Sequence, residues 1–141
     1  MRQHCATILL ATTVLAGASS GCRDAATSEA AAAAAPAAVW HPLGTWSGQG
    51  NRQTDSFDVT TGALQLRWEA RETAPGAGRL AVSLHSAISG RPLQTVLDVR
   101  GGGAAVVYVE DEPRVSYLVV ESAGVEWRLE LLQRVPGSGP R

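Results

Sequence analysis

The fold class of this chain is decided by the stretch Ala63-Leu64-Gln65-Leu66-Arg67-Trp68-Glu69-Ala70-Arg71. From Leu64 to Ala70, apolar side chains occupy every second position, and polar or charged side chains occupy the positions between them. A repeat of two is that of a β-strand with one buried face, whereas an amphipathic helix repeats about every 3.6 residues. The stretch therefore predicts a half-buried β-strand.

The same alternation recurs along the chain after Trp40. The segment Val125 to Leu131 places Val125, Trp127, Leu129 and Leu131 on one face and charged residues on the other. Shorter strands are predicted at Thr45–Ser47, Thr54–Val59, Arg79–His85 and Leu93–Arg100. In the last two, the inward residues are predicted to be Leu80, Val82, Leu84, Leu93, Thr95, Leu97 and Val99. Ala104–Val109 and Val115–Val120 are apolar on both faces, which predicts central strands.

Turn-forming residues separate these segments at intervals of roughly 8–12 residues, a spacing typical of β-sandwiches. The breaks are Thr61-Gly62, Pro75-Gly76-Ala77-Gly78, Ser89-Gly90-Arg91-Pro92, Gly101-Gly102-Gly103, Glu110-Asp111-Glu112-Pro113 and Ala123-Gly124. No amphipathic helical stretch interrupts them. The sequence predicts an all-β fold, an antiparallel, jelly-roll-like β-sandwich of about eight strands.

The N-terminal segment has the pattern of an export signal. A basic Arg2 precedes an apolar run that is too short to span a bilayer, and small residues follow the run. Ser19-Ser20-Gly21-Cys22 is similar to a lipobox, except that Ser19 stands where Leu is usual. This pattern predicts cleavage before Cys22 and its lipidation by a diacylglyceryl group with acyl chains such as palmitate. The alternative is the A-x-A site Ala16-Gly17-Ala18, whose cleavage would leave Cys22 as a free thiol.

Four segments follow from these patterns. We expect a signal peptide at 1–21, a lipidated cysteine and Ala-rich linker at 22–38, a β-sandwich domain at 39–134 and a disordered tail at 135–141. The protein would then be exported and anchored to the membrane of the cell envelope. Arg23, rather than an Asp, follows the lipidated cysteine, which favours the outer membrane in a host with two membranes.

Composition limits the partners and cofactors. From Cys22 onward, 11 arginines stand against 13 carboxylates, a net charge of −2, and the chain contains no lysine. The charges are interspersed, so no basic stripe is present to neutralise a phosphate backbone, and nucleic acid is not an expected partner. Lipidation of Cys22 would leave the domain without a thiol for a disulfide or a Cys-ligated metal. No cofactor is indicated.

The order of motifs is similar to that of a group of small bacterial extracellular β-sandwich domains. The shared positions are Trp46-Ser47-Gly48-Gln49-Gly50, Thr54-x-x-Phe57-x-Val59, Leu64-x-Leu66-x-Trp68, Leu80-x-Val82-x-Leu84, Ser116-Tyr117-Leu118-x-Val120 and Trp127-x-Leu129-x-Leu131. These domains are jelly-roll or CUB-like, largely uncharacterised and often lipoproteins. Ser116 replaces one of their paired tyrosines, and Glu110-Asp111-Glu112-Pro113 replaces a loop of Gly and small polar residues. The resemblance implies a fold and supplies no catalytic residues.

The candidate metal ligands are Glu110, Asp111 and Glu112. Three carboxylates on one loop could help to bind Ca²⁺, which takes six to eight oxygen ligands, with Asp55, Asp58 or Asp98 contributing from elsewhere. The competing interpretation is a solvated turn ended by Pro113. His41 and His85 lack further ligands at a regular spacing, so we interpret them as surface histidines.

The tryptophans fall into two pairs. Trp68 and Trp127 are in phase with the apolar faces, which predicts core packing. Trp40 and Trp46 lie near the start of the domain, where they could bind a ligand by stacking on a sugar or could pack over a sheet edge. No Gly-x-Ser-x-Gly motif occurs in the domain, and we predict that the protein is not an enzyme.

The sequence thus predicts a lipid-anchored envelope lipoprotein with a non-catalytic structural or interaction domain. One alternative is a binding module for a carbohydrate or another small ligand, with or without a dependence on Ca²⁺. Another alternative is a subunit of an envelope complex, which would show an exposed apolar sheet face. Val115–Val120 could form such a face if it were not a central strand. The patterns do not identify the protein or carbohydrate partner.

Overall fold

The computed structural model describes residues 37–137, and this part of the chain contains β-strands and no helix. The strands are β1 Val39–Gln49, β2 Arg52–Gln53, β3 Phe57–Val59, β4 Ala63–Glu72, β5 Arg79–Ser86, β6 Pro92–Arg100, β7 Gly103–Glu110, β8 Arg114–Ala123 and β9 Val125–Val135. The predicted signal peptide, Cys22, the linker up to residue 36 and the last four residues lie outside the described range. Among the described residues, no helix could cross a lipid bilayer.

The strands form two antiparallel sheets. One sheet has the order β1-β9-β4-β7, and the other has the order β2-β8-β5-β6, with β3 also paired to β8. Each pair of neighbouring strands in the described range is antiparallel. The predicted all-β antiparallel sandwich is therefore confirmed.

The core lies between the two sheets and includes most of the apolar side chains that the alternation predicted to be inward, together with residues of β7 and β8. Leu66, Leu80, Leu84, Leu118 and Leu129 have no measurable exposure. Each such leucine stabilises the fold by about 1.5–3 kcal/mol relative to an exposed one. Trp127 is also buried, and Trp68 packs against the same cluster, so the prediction that these two tryptophans are core residues is confirmed.

The prediction that Ala104–Val109 is a central strand is wrong. This segment forms most of β7, which is the last strand of the four-stranded sheet and pairs only with β4. Val106 and Tyr108 are exposed to 44% and 69%. The other segment that is apolar on both faces, Val115–Val120, is central as predicted, since β8 lies between β5 and the short strands β2 and β3.

One inward prediction in β6 is also wrong. The register between β5 and β6 shifts twice, between Val82 and Ser83 and between Leu84 and His85. The first shift leaves Val96 without a direct partner, as in a β-bulge, and the alternation of faces changes phase at this residue. Thr95 is therefore exposed, and Val96 packs against the core in its place.

Candidate functional site

The four-stranded sheet has one face turned toward the core and one face turned away from it. Directly opposed residues of paired strands share a face, so the register assigns the members of each face in rows. We call the face turned away from the core the outer face. Its four rows are Gln49–Glu126–Arg71, Ser47–Arg128–Glu69–Ala104, Thr45–Glu130–Arg67–Val106 and Pro42–Leu132–Gln65–Tyr108, and the pairs Trp40–Arg134 and Ala63–Glu110 lie beyond the last row.

The middle of the outer face is a ladder of opposite charges on β4 and β9. Arg67 lies opposite Glu130, Glu69 opposite Arg128 and Arg71 opposite Glu126. The Arg67 and Glu130 side chains form an ion pair of 3.4 Å, and Arg71 pairs with Glu69 on its own strand at 3.5 Å. These side chains are 36–76% exposed, so each pair contributes at most about 1 kcal/mol.

An open depression of about 430 Å³ lies at one end of this ladder. Its lining consists of Ser47, Gly48, Gln49, Glu69, Arg71, Glu126, Trp127 and Arg128. The amide of Gln49 donates a hydrogen bond of 2.6 Å to the Glu126 carboxylate, which holds one wall in place. The depression can offer guanidinium donors and carboxylate acceptors to a polar partner.

Two aromatic rings cover the other end of the outer face. Trp40 and Tyr108 contact each other with ring centroids 5.9 Å apart, although they belong to β1 and β7 at opposite edges of the sheet. Leu132 and Gln65, on the two strands between them, are only 5% and 6% exposed. Gln65 Nε2 donates to the Tyr108 hydroxyl at 3.3 Å, whereas its buried Oε1 has no partner among the described residues.

The structure does not bring together the two predicted stacking residues, Trp40 and Trp46. The register between β1 and β9 shifts between Pro42 and Gly44, and this irregularity separates the faces that the two rings occupy. Trp46 packs against the core, with its ring centroid 5.9 Å from that of Phe57. A side chain at Gly44 would overlap the Trp46 ring, so this glycine provides the space for the ring. Of the two candidates, Trp40 is the one on the outer face.

The acidic turn is organised around an arginine. Arg114 Nη2 lies 3.2 Å from Asp111 and 2.9 Å from Glu112, whereas Glu110 is exposed at the end of β7. The turn is also fixed by a hydrogen bond of 2.8 Å from the Asp111 N–H to the Gly62 carbonyl. Within residues 37–137, no three His, Cys, Asp or Glu side chains come close enough together to hold a metal ion.

The two histidines of the domain lie apart. His41 is exposed on β1. His85 is on β5, where its Nε2 lies 3.0 Å from Ser83 Oγ and its ring stacks on Tyr117 with centroids 5.3 Å apart.

Sequence reasoning missed Tyr108 and Leu132 as members of the outer face, and it missed the burial of Gln65. The alternation places Gln65 on the polar face of its strand, and nothing in that strand indicates that rings from two other strands cover it. The position of β7 at an open edge of the sheet was also missed, because the sequence of an apolar segment does not show whether its strand is central or at an edge.

Comparisons with known proteins identify no family. No family model matches the chain, and no curated protein matches it. One similar solved structure is described as "Bacillus endospore appendages form a novel family of disulfide-linked pili". Its sequence is 14% identical and the TM-score is 0.48. The alignment covers 89% of this chain and 100% of that chain. Another contains the CBM22-1 and GH10 modules of Clostridium thermocellum xylanase 10B complexed with xylohexaose. Its sequence is 11% identical and the TM-score is 0.35. The alignment covers 72% of this chain and 27% of that chain.

Proposed function

We propose that this protein is an exported, lipid-anchored lipoprotein of the cell envelope whose β-sandwich has a non-catalytic structural or interaction role. The observation that supports the interaction role is the outer face, which combines an exposed charge ladder, an open depression and an aromatic cluster on one continuous sheet. An open surface of this kind fits an extended or macromolecular partner better than a small substrate, which binding sites usually enclose.

The anchoring part of the proposal is supported by the N-terminal pattern that ends at Cys22. The Ala-rich segment after it would act as a tether between the lipid and the domain. Under this proposal the domain acts close to a membrane surface, and its outer face is available to components of the envelope.

Cell fractionation tests the anchor. Cys22→Ser removes the acceptor sulfur, so the protein should move from the membrane fraction to a soluble fraction. Cys5→Ser is the matched control, because Cys5 lies inside the predicted signal peptide and its loss should leave the distribution unchanged. Retention of the Cys22→Ser variant in the membrane would contradict lipid anchoring.

A second candidate function, carbohydrate or small-ligand binding, is supported by one specific feature of the outer face. Trp40 and Tyr108 present aromatic surface, and the exposed Arg134 lies directly opposite Trp40 on the same face. Aromatic rings beside hydrogen-bonding groups are suited to sugars, which have both apolar and hydroxyl faces.

Tryptophan fluorescence titrations with neutral oligosaccharides and peptidoglycan fragments test this candidate. Binding at the cluster should change the emission of the parent protein and be lost in Trp40→Ala. It should persist in Trp46→Phe, because Trp46 packs against the core. No spectral change with any of these probes would remove carbohydrate binding from consideration.

A further inference from the structure

The exposed edge of β7 differs from the other sheet edges among the described residues. Edge strands present unpaired backbone N–H and C=O groups, and proteins protect them with prolines, bulges, charged side chains or very short strands. β1 has Pro42 and a register shift, and β6 has Pro92, two charged residues and two register shifts. β2 and β3 are only two and three residues long.

β7 has none of these protections along most of its length. Its eight residues pair with β4 in an uninterrupted register, and no proline or charged residue occurs from Gly103 to Val109. The strand begins after a glycine turn, and the open stretch ends at Glu110, whose carbonyl accepts a hydrogen bond of 3.0 Å from Gln94. Val106 and Tyr108 lie on the outer face of this strand and are among the most exposed large apolar side chains of the described residues.

We propose that β7 pairs in an antiparallel manner with β7 of a second copy of this chain, joining two four-stranded sheets into one continuous sheet. The occupant is inferred from the self-complementarity of the strand. In an antiparallel pair, directly opposed residues must point to the same face. If Val106 lies opposite Val106 of the second copy, every other residue of β7 lies opposite a residue that points to the same face.

In this register, Val106 lies opposite itself and Tyr108 lies opposite Ala104 on both sides of the symmetry axis. Each large ring is therefore matched with a small side chain. On the inward face, Ala105 lies opposite Val107 in the same way. Glu110 lies opposite Gly102, so the pairing opposes no two like charges.

The proposed contact would occupy the β7 edge of both copies and leave no β7 edge free for a third copy. A two-fold axis through Val106 uses the same edge on both copies, which gives a dimer and not an open filament. A filament would require a second available edge, and β1, at the other end of the same sheet, carries Pro42 and a bulge. The dimer would double the outer face and bring the Trp40–Tyr108 clusters of the two copies near a common axis.

Disulfide trapping tests the proposed register in the full chain with Cys5→Ser and Cys22→Ser, so that the introduced thiol is the only one. Opposed residues of antiparallel strands have Cα atoms about 4.5 or 5.5 Å apart, and disulfides span about 4.4–6.8 Å. Val106→Cys should therefore form a disulfide-linked dimer under mild oxidation. Thr45→Cys is the matched control, because Thr45 lies in the same row on the opposite edge of the sheet and should stay monomeric.

Analytical ultracentrifugation of the full chain without introduced cysteines tests whether two copies associate without a covalent bond. The parent should show a concentration-dependent monomer–dimer equilibrium. Val106→Arg opposes two like charges at the axis and should weaken the dimer at least about tenfold, whereas Thr45→Arg should leave it unchanged. A monomer at every concentration, together with Val106→Cys cross-linking no better than Thr45→Cys, would overturn the proposal. Cross-linking of Val106→Cys in cells to a different protein, and not to itself, would also overturn it.

Discussion

Trp40 and Tyr108 belong to strands at opposite edges of the four-stranded sheet, yet their rings meet above its outer face with centroids 5.9 Å apart. The contact is possible because the two strands between them contribute Leu132 and Gln65 at this point, and these side chains form a platform beneath the rings. A small second cluster thus lies outside the main core and connects the first strand of the sheet to the last.

This aromatic contact should contribute measurable stability. We expect a double-mutant cycle of Trp40→Ala and Tyr108→Ala, followed by denaturant unfolding, to give a coupling free energy of about 0.5–1.5 kcal/mol. The measurement is made at low protein concentration so that association does not contribute. Trp40→Ala combined with Tyr117→Ala is the control and should be additive, since Tyr117 belongs to the other sheet. Additivity in both cycles would show that the ring contact is energetically irrelevant.

The buried hydroxyl of Thr54 should be important for stability. Thr54 Oγ1 accepts a hydrogen bond of 2.9 Å from the Leu118 N–H, and it donates one of 2.9 Å to the Asp55 carbonyl. Thr54→Val keeps the shape but leaves the buried Leu118 N–H without this acceptor, which should lower the free energy of unfolding by about 1–3 kcal/mol. Thr54→Ser retains the hydroxyl and should cost less. Equal losses for the two variants would contradict this role.

Ser116 is expected to behave in the opposite way. Its side chain is fully buried on β8, and its Oγ has no hydrogen-bond partner among the described residues. Ser116→Ala removes a buried polar group that is not compensated by a partner, so it should be neutral or stabilising by up to about 1 kcal/mol. Thermal and denaturant unfolding measure the change. A loss of more than about 1 kcal/mol would show that the Ser116 hydroxyl makes a stabilising hydrogen bond.

Gly62 should be the least replaceable of the turn glycines. It has a φ of +78°, and a Cβ at this position would overlap the Asp111 carbonyl oxygen of the acidic turn. Gly76 has nearly the same φ, +77°, but nothing lies within 4 Å of its Cβ position. Both alanine variants should lose about 1–2 kcal/mol from the left-handed conformation, and Gly62→Ala should lose clearly more because of the overlap. Similar unfolding free energies for the two would show that the turn can move away.

The charge ladder should contribute little to stability. Glu130→Gln removes the ion pair with Arg67, and because both side chains are exposed we expect a change of less than about 1 kcal/mol in the free energy of unfolding. A larger loss would show that the ladder is a structural element, and the proposal that it is an interaction surface would lose support.

Much of the fold could be predicted because its strands have a local signature. The alternation from Leu64 to Ala70 and from Val125 to Leu131 identifies both the strands and their buried faces, and the structure confirms both. β2 has two residues, too few for any alternation to be visible. In β1, Pro42 and the bulge before Gly44 interrupt the repeat, so only Thr45–Ser47 was recognised out of eleven residues.

The order of strands in a sheet could not be predicted in the same way. Ala104–Val109 and Val115–Val120 have similar composition, yet one forms an edge and the other a centre. The difference depends on which distant segments pair with each of them, and neither segment contains that information. The charged residues of the outer face follow from the alternation within β4 and β9, but the aromatic cluster could not be predicted, since it combines residues from four strands.

The most direct test of the central claim is mass spectrometry of the intact protein and its N-terminal peptide, after production in a bacterial host with its own lipoprotein pathway. We expect a mature chain that begins at Cys22 and carries the additional mass of a diacylglyceryl group. A chain that begins at Ser19 with an unmodified Cys22 would contradict lipid anchoring and indicate a secreted domain with a free thiol.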